Sequence, residues 1–397
     1  MSGWQTRRLG DILRLNYGKS LPVKNRIEGP IPVYGSNGIV GSHSEAIVAV
    51  PGLIVGRKGS AGEVHRSLGP FCPIDTTFYV TEADAPDVAL EFLFYLLRHL
   101  DLTRITGDVG VPGLNREMAY MEPVQLPTAI PEQKKIAHVL STVQQAIEAQ
   151  ERIIRTTSEL KKALMHKLFT EGLSKEPQKQ TEIGPVPESW EVCKVGDVAK
   201  IQSGGTPTRE IAENWSDGTI PWVKTGEINY CVIHDTEEKI TSTGLSNSAA
   251  RLFPKGTLLM AMYGQGITRG RVGLLGIEAA TNQACASITP AVENRLSSIF
   301  LYYFFEYHYE DLRKLGHGAN QRNMNAALIR SFPLAFPEPD EQAAIVTAFE
   351  SLDQKRALHE RKKTQLQDLF RTLLHELMTA KTRVHEMEFP QEVTPDD

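Results

Sequence analysis

One helix is written twice in this chain. The stretch SELKKALMHKLFTEG (residues 158–172) returns as QDLFRTLLHELMTAK (residues 367–381), and Leu160, Leu164, His166, Leu168 and Thr170 match Leu369, Leu373, His375, Leu377 and Thr379 at one constant offset. The match extends backward through a seam of alternating three- and four-residue steps. Ile136, Leu140, Val143, Ile147, Leu164 and Leu168 stand on the first copy; Ile345, Phe349, Leu352, Leu366, Phe370, Leu373 and Leu377 stand on the second. Apolar residues at that spacing form one stripe on a helix, and the stripe must be buried. Each copy of about 40 residues predicts a rod ~60 Å long. The middle of the seam is polar, around Gln150, Thr157, Arg356 and His359. Packing of each rod on its own domain alone accounts poorly for the length and polar flanks. An antiparallel coiled coil of the two is the expectation.

The rest of the chain is duplicated in the same order, and internal repeats govern how a fold is read. Trp4, Gly10, Asp11 and Gly18 return as Trp190, Gly196, Asp197 and Gly204. Ile31-Pro32 returns as Ile220-Pro221, Asn115 as Asn325 and Pro127 as Pro337. Glu132-Gln133 and Glu341-Gln342 open the two long helices, where acidic residues suit the helix dipole. Between these landmarks, runs such as GLIVG, TTFYV and GTLLMAM read as short strands with turns, and VALEFLFYLLRHL and SSIFLYYFFEYHYEDLRKL as apolar helices. The expected fold class is α+β: two mixed α/β domains related by duplication (1–130 and 181–336), two long spacer helices (131–180 and 337–382), and an acidic, disordered tail (383–397). The helix pair would carry a pseudo-twofold axis, with the domains at opposite ends in inverted orientation. The symmetry of the DNA backbone matches such an axis.

Composition bounds the function. Net charge is −1 over residues 1–130, +3 over 131–180, −2 over 181–335 and −5 over 336–397. The acidity is therefore concentrated at the end of the chain, and local basic loops elsewhere leave nucleic acid open as a partner. The four cysteines (Cys72, Cys193, Cys231, Cys285) have neither disulfide-framework nor zinc spacing. There is no secretory signal and no apolar run of membrane-spanning length, so a cytoplasmic protein is expected.

With these paired landmarks in order, the chain resembles the specificity subunit of a type I restriction-modification system over essentially all of residues 1–385. The resemblance implies two target-recognition domains, each reading half of a split DNA site, and two spacer helices that set the gap. It implies two adenine-N6 methyltransferase (modification) subunits docked on the repeats, with S-adenosylmethionine bound there. It further implies two restriction subunits using ATP and magnesium, and no cofactor on this chain itself. A duplicated coiled-coil adaptor that binds only protein is the alternative; salt-sensitive, sequence-specific DNA affinity separates the two.

Candidate DNA contacts are basic, polar or aromatic residues on Gly-rich loops. GRKGSAG offers Arg57, Lys58 and Ser60. YGQGITRGRVG offers Tyr263, Gln265, Thr268, Arg269 and Arg271, mixing phosphate-binding with base-reading side chains. Tyr34, Ser36 and Asn37 in one half, and Lys224 and Thr225 in the other, follow the repeated Ile-Pro. Asn115 and Arg116 precede the first helix entry. His317, Asn320, Gln321, Arg322 and Asn323 precede the second, and Thr206, Thr208 and Arg209 complete the set.

No enzyme is legible. A phosphate-binding Walker loop is missing, as is the Asn/Asp-Pro-Pro-aromatic motif that the family resemblance associates with adenine methylation. Pro86-Asp87 with Glu132 and Lys134 only superficially resembles a nuclease triad, and Glu132 already opens a helix. The repeated His166 and His375 are expected to pack or to dock a partner rather than to catalyse. No metal site is expected.

Overall fold

The computed structural model describes residues 3–105, 113–264, 267–291, 295–315 and 324–384. The chain divides into two compact units: residues 1–152 with 360–397, and residues 153–359. This division cuts across both long helices, Ile130–Glu171 and Pro339–Met378. Each unit therefore takes the start of one long helix and the end of the other.

Both units are built to one plan. In the first, strand Trp4–Arg8 pairs antiparallel with Pro123–Pro127. A four-stranded sheet runs in the order 16–17, 77–81, 52–56, 64–67, and a smaller one in the order 38–43, 31–35, 72–73. In the second, Glu191–Lys194 pairs with Pro333–Phe336. Its sheets run 199–203, 285–290, 258–261, 272–275, 232–233 and 238–240, 220–223, 279–281, 252–253. Each sheet is its counterpart plus one strand. The parallel pairing of the smaller sheet also recurs, Val33 beside Cys72 and Trp222 beside Ala280, while the added strand 232–233 brings a second one, beside 274–275.

The repeated residues hold the frame together. A side chain on Gly10 would put its Cβ 2.8 Å from Cβ of Tyr120, and one on Gly196 would sit 2.9 Å from Cβ of Arg330. Only glycine lets each turn pack on the short helix that faces it. Gly18 and Gly204 face carbonyls, of Ile74 and Thr281, each at 2.1 Å from an added Cβ. Asp11 accepts from the Arg8 amide (3.2 Å) and Asp197 from the Lys194 amide (3.0 Å), satisfying the first free donors of each turn. Asn115 and Asn325 cap helices Arg116–Met121 and Ala326–Ser331, accepting from the Met118 and Leu328 amides at 3.1 and 2.9 Å.

The Glu-Gln pairs join helix to domain. Gln133 is fully buried; it accepts from the Ala89 amide (2.8 Å) and donates to the Pro127 carbonyl (2.9 Å). Gln342 accepts from the Ser297 amide (3.0 Å) and donates to the carbonyls of Pro337 (2.8 Å) and Arg295 (2.7 Å). Each glutamine thus ties the start of a domain helix to the end of a strand. Glu132 receives the Trp4 indole (3.2 Å) and an ion pair from Arg383 (3.0 Å). Glu341 receives the Leu173 amide (2.8 Å). In both units, the chain leaving one long helix closes onto the glutamate that opens the other.

The two helices form an antiparallel coiled coil, but they do not pair alone. In the first unit Ile136, Leu140 and Ile147 share a core with Phe370 and Leu377, with Val143, Leu366 and Leu373 packed against it. That core includes the domain helix Leu90–Leu100, which buries Phe92 through Leu97. In the second unit Leu168, Ile345 and Phe349 are buried with the domain helix Ser298–Tyr307, and Leu164 packs beside them. Phe169 alone stacks on Tyr307 and Phe349 and meets Phe300 and Phe304 edge-on. Leu352 is half-buried.

Within the polar middle of the seam, Thr157 and Lys161 are buried. One expectation is corrected here. The last segment does not start as a loose end at residue 383: Arg383 pairs with Glu132 and Val384 is fully buried. Residues 385–397 lie outside the described residues.

Candidate nucleic-acid interface

The two basic Gly loops are the same connection in the two sheets. One joins strands 52–56 and 64–67; the other joins 258–261 and 272–275. In the first, the amides of Arg57 and Lys58 both donate to the Thr76 carbonyl (2.8 and 3.1 Å), which also accepts the Ser36 hydroxyl (2.6 Å). That carbonyl pins the loop. The Arg57 guanidinium then lies 5.2 Å from the ring centre of Tyr17, and Arg116 lies 5.1 Å from the same ring. Tyr17 is half exposed. Two cations over one solvent-facing ring suit contact with a base plane and its phosphates. Lys58 is exposed beside them, and Ser60 is half-buried. Arg116 also pairs with Glu117 (3.1 Å), which raises its pKa.

In the second loop Arg271 lies 5.9 Å from the ring of Tyr230 and donates to the Asn229 side chain. Arg269 donates to the Arg313 carbonyl (2.9 Å), and Arg313 lies over Tyr309 at 5.5 Å. The rings of Tyr230 and Tyr309 meet edge-to-face at 6.1 Å. Burial raises the pKa of the Tyr230 hydroxyl well above its ordinary value. Tyr263 packs against the core beside this loop, and Thr268 is half-buried in it. The two loops share one further feature. Arg57 and Arg271 each bury an Nε–H that finds no acceptor among the described residues. An unmet buried donor costs about 1–3 kcal/mol, which an incoming acceptor such as a phosphate oxygen offsets.

Several sequence candidates have other occupations. Tyr34 and Ser36 are buried, with hydroxyls donating to the carbonyls of Arg66 (3.2 Å) and Thr76; they support the loop instead of facing a ligand. Asn37 stays exposed in the adjoining turn. The acceptor oxygen of Asn115 is used as a helix cap. Arg209 stacks on Trp215 at 3.8 Å and pairs with Glu238, which also takes Lys224 (3.1 Å). Glu237 binds Lys224 as well (2.7 Å), and these two carboxylates raise its pKa. The charges of Arg209 and Lys224 are thus answered within the protein. Thr206 donates to Gln283, the Thr208 carbonyl accepts from Asn214 and Trp215, and Thr225 starts a short turn capped through Glu227. Gln265, His317, Asn320, Gln321, Arg322 and Asn323 lie outside the described residues.

Sequence reasoning missed Tyr17, Asn229, Tyr230, Tyr309 and Arg313. No local pattern marks them, since each gains its role from a loop distant in sequence. The nuclease-like set is not assembled: Glu132 is engaged by Trp4 and Arg383, and Asp87 pairs with Arg7 (3.6 Å). His166 bonds Tyr307 (2.9 Å), and His375 packs beside His99 and bonds Lys381 (3.0 Å). Among the described residues no group of His, Cys, Asp and Glu could hold a metal, and the four cysteines are free. No described helix is long and apolar enough to cross a membrane.

A family model for the type I restriction modification DNA specificity domain matches twice, over residues 1–156 and 187–368. The chain is a type I restriction-modification specificity subunit. Such subunits recognise DNA sequence within a restriction-modification complex and are non-catalytic; the enzymatic activities belong to other subunits. This specificity subunit is 26% identical to the type I restriction enzyme MjaVIII specificity subunit of Methanocaldococcus jannaschii, over 97% of the chain and 94% of that protein. Its fold is that of the S subunit from M. genitalium, with a TM-score of 0.69 at 16% identity over 94% of this chain and 96% of that one. A second solved chain, from work on assembly and conformational transition of the type I R-M system, has a TM-score of 0.56 at 15% identity, covering 95% of this chain and 98% of its own.

Proposed function

We propose that this specificity subunit reads a bipartite DNA site with a non-specific gap, one half-site per unit. The observation that carries the proposal is the matched pair of hairpin loops. Each sets an arginine over a tyrosine at the same connection of the same sheet, and each leaves a buried arginine donor unmet among the described residues. Arg57, Lys58, Arg116 and Tyr17 serve one half-site; Arg269, Arg271, Arg313 and Asn229 serve the other. The paired long helices hold two adenine-N6 modification subunits, which bind S-adenosylmethionine. Two restriction subunits using ATP and magnesium complete the assembly, and the complex works in the cytoplasm.

Methylome sequencing of cells expressing the chain with its modification subunit tests this. A split N6-methyladenine motif is expected. Exchanging residues 1–130 for another specificity subunit's first domain should rewrite one half-site and spare the other. A change in both halves overturns the one-unit, one-half-site reading. The long helices also set the gap in this proposal. Four residues inserted near Gln150 add ~6 Å of helix, so the gap should widen by about one or two base pairs while both half-sites keep their letters. An active variant with an unchanged gap removes the spacer role.

A further inference from the structure

Where the long helices meet a domain helix, the two units solve one geometric problem with different chemistry. In the second unit, Lys161 sits buried on the first long helix. Its ammonium bonds both oxygens of Glu306 (2.9 and 2.8 Å) and both oxygens of Asp353 (2.9 Å each), and lies 5.0 Å from the ring of Tyr303. Tyr303 in turn donates to Asp353 (3.0 Å). Glu306 belongs to the domain helix, Asp353 to the second long helix. One ammonium therefore joins three helices.

The equivalent place in the first unit is found through the repeated histidines. His166 contacts Tyr307, and His375 contacts His99. Stepping back along the same helices puts Phe370 where Lys161 stands, Arg98 where Glu306 stands, Tyr95 where Tyr303 stands and Gln144 where Asp353 stands. The contacts agree: Phe370 meets the Tyr95 ring at 6.1 Å, and the Arg98 guanidinium covers Phe370 at 5.5 Å. An ammonium between two carboxylates has become a ring under a cation.

We propose that Lys161, Glu306 and Asp353 form a placement code that accepts the second domain at its own junction and rejects the first. A first-domain helix placed there would set the Arg98 guanidinium against the Lys161 ammonium, and like charges at that range repel. A second-domain helix on the other junction would press the Glu306 carboxylate onto the Phe370 ring with no cation beside it, the costly case for a poorly solvated charge. Burial already pushes the Glu306 pKa up, against the pull of Lys161. The code is a positioning device: none of its residues lies on the hairpin loops that read DNA.

The test is a sign reversal measured by thermal unfolding of the full chain. In the parent, Lys161→Phe should lower the midpoint by about 5–10 °C, because it removes the ammonium from between two carboxylates and leaves them only the Arg356 cation, 3.7 Å from Asp353. In a chimera carrying a second copy of residues 1–130 in place of 181–336, the same substitution should raise it. The same sign in both backgrounds overturns the proposal. Should the chimera fail to fold with either residue, the parent decides: Lys161→Phe, Glu306→Arg and Asp353→Gln combined, which transplant the first unit's solution, should recover at least half of the loss summed over the single variants. Losses that simply add overturn it as well.

Discussion

The frame and the loops of this molecule have kept the duplication to different degrees. In the frame, Gly10 and Gly196, Asp11 and Asp197, Asn115 and Asn325, and Gln133 and Gln342 make the same contacts in both units, often within 0.3 Å. In the loops, only the scheme of arginine over tyrosine survives. Arg57 is the first residue of its loop while Arg271 is the last of its own, and Tyr17 comes from a strand while Tyr230 comes from a turn with positive φ. Backbone donors and acceptors buried at a helix entry have one stereochemical answer, so those residues repeat. In the proposed function the loops answer to whatever sequence they meet, and the two halves of a split site need not be alike.

The comparison can be broken first at the buried glutamines. Gln133→Ala strands the Ala89 amide and the Pro127 carbonyl, and Gln342→Ala strands their counterparts. Each should cost about 2–4 kcal/mol in denaturant unfolding, with the methylated motif unchanged in whatever protein folds. A shifted motif would put these residues in recognition.

Next come Gly10→Ala and Gly196→Ala. Both added Cβ atoms fall within 3.0 Å of a facing side chain, so similar losses of about 1–3 kcal/mol are expected from thermal melts. A loss in one unit only would separate frames that look the same.

The loops should respond in the opposite way. Arg271→Ala should leave the melting midpoint almost unmoved and weaken DNA binding by about 1–3 kcal/mol, relaxing the motif at one base if it reads a guanine edge. A phosphate contact would weaken all sequences alike and flatten the salt dependence. Binding equal to wild type by fluorescence anisotropy would return the loop to a structural role.

The smallest effect is expected at the caps. Asn115→Ala and Asn325→Ala should each cost about 1 kcal/mol of stability. If Asn115→Ala instead changes the methylated motif, its exposed amide nitrogen reads DNA in addition to capping the helix.

The sequence by itself determined the duplication, the two long helices and the fold class. Those rest on local periodicity and on residue types whose requirements are local, such as a glycine at a close approach or an Asn before a helix. It also placed the two basic loops, because glycines and arginines cluster within a few residues. It could not rank the polar candidates. Tyr34, Ser36 and Asn115 look as available in sequence as Arg57, and only burial and capping tell them apart. Only the tertiary structure decided which residues meet across long stretches of chain. Arg383 reaches Glu132, Lys161 gathers Glu306 and Asp353, and Tyr17 receives Arg57 and Arg116. It also decided that each unit is assembled from separated pieces of chain, with the start of one long helix beside the end of the other. The physical reason is the same in each case: a seam, a loop or a lone charge states what must be covered, while its partner is fixed only when the chain folds back and one arrangement satisfies every buried donor, acceptor and charge together.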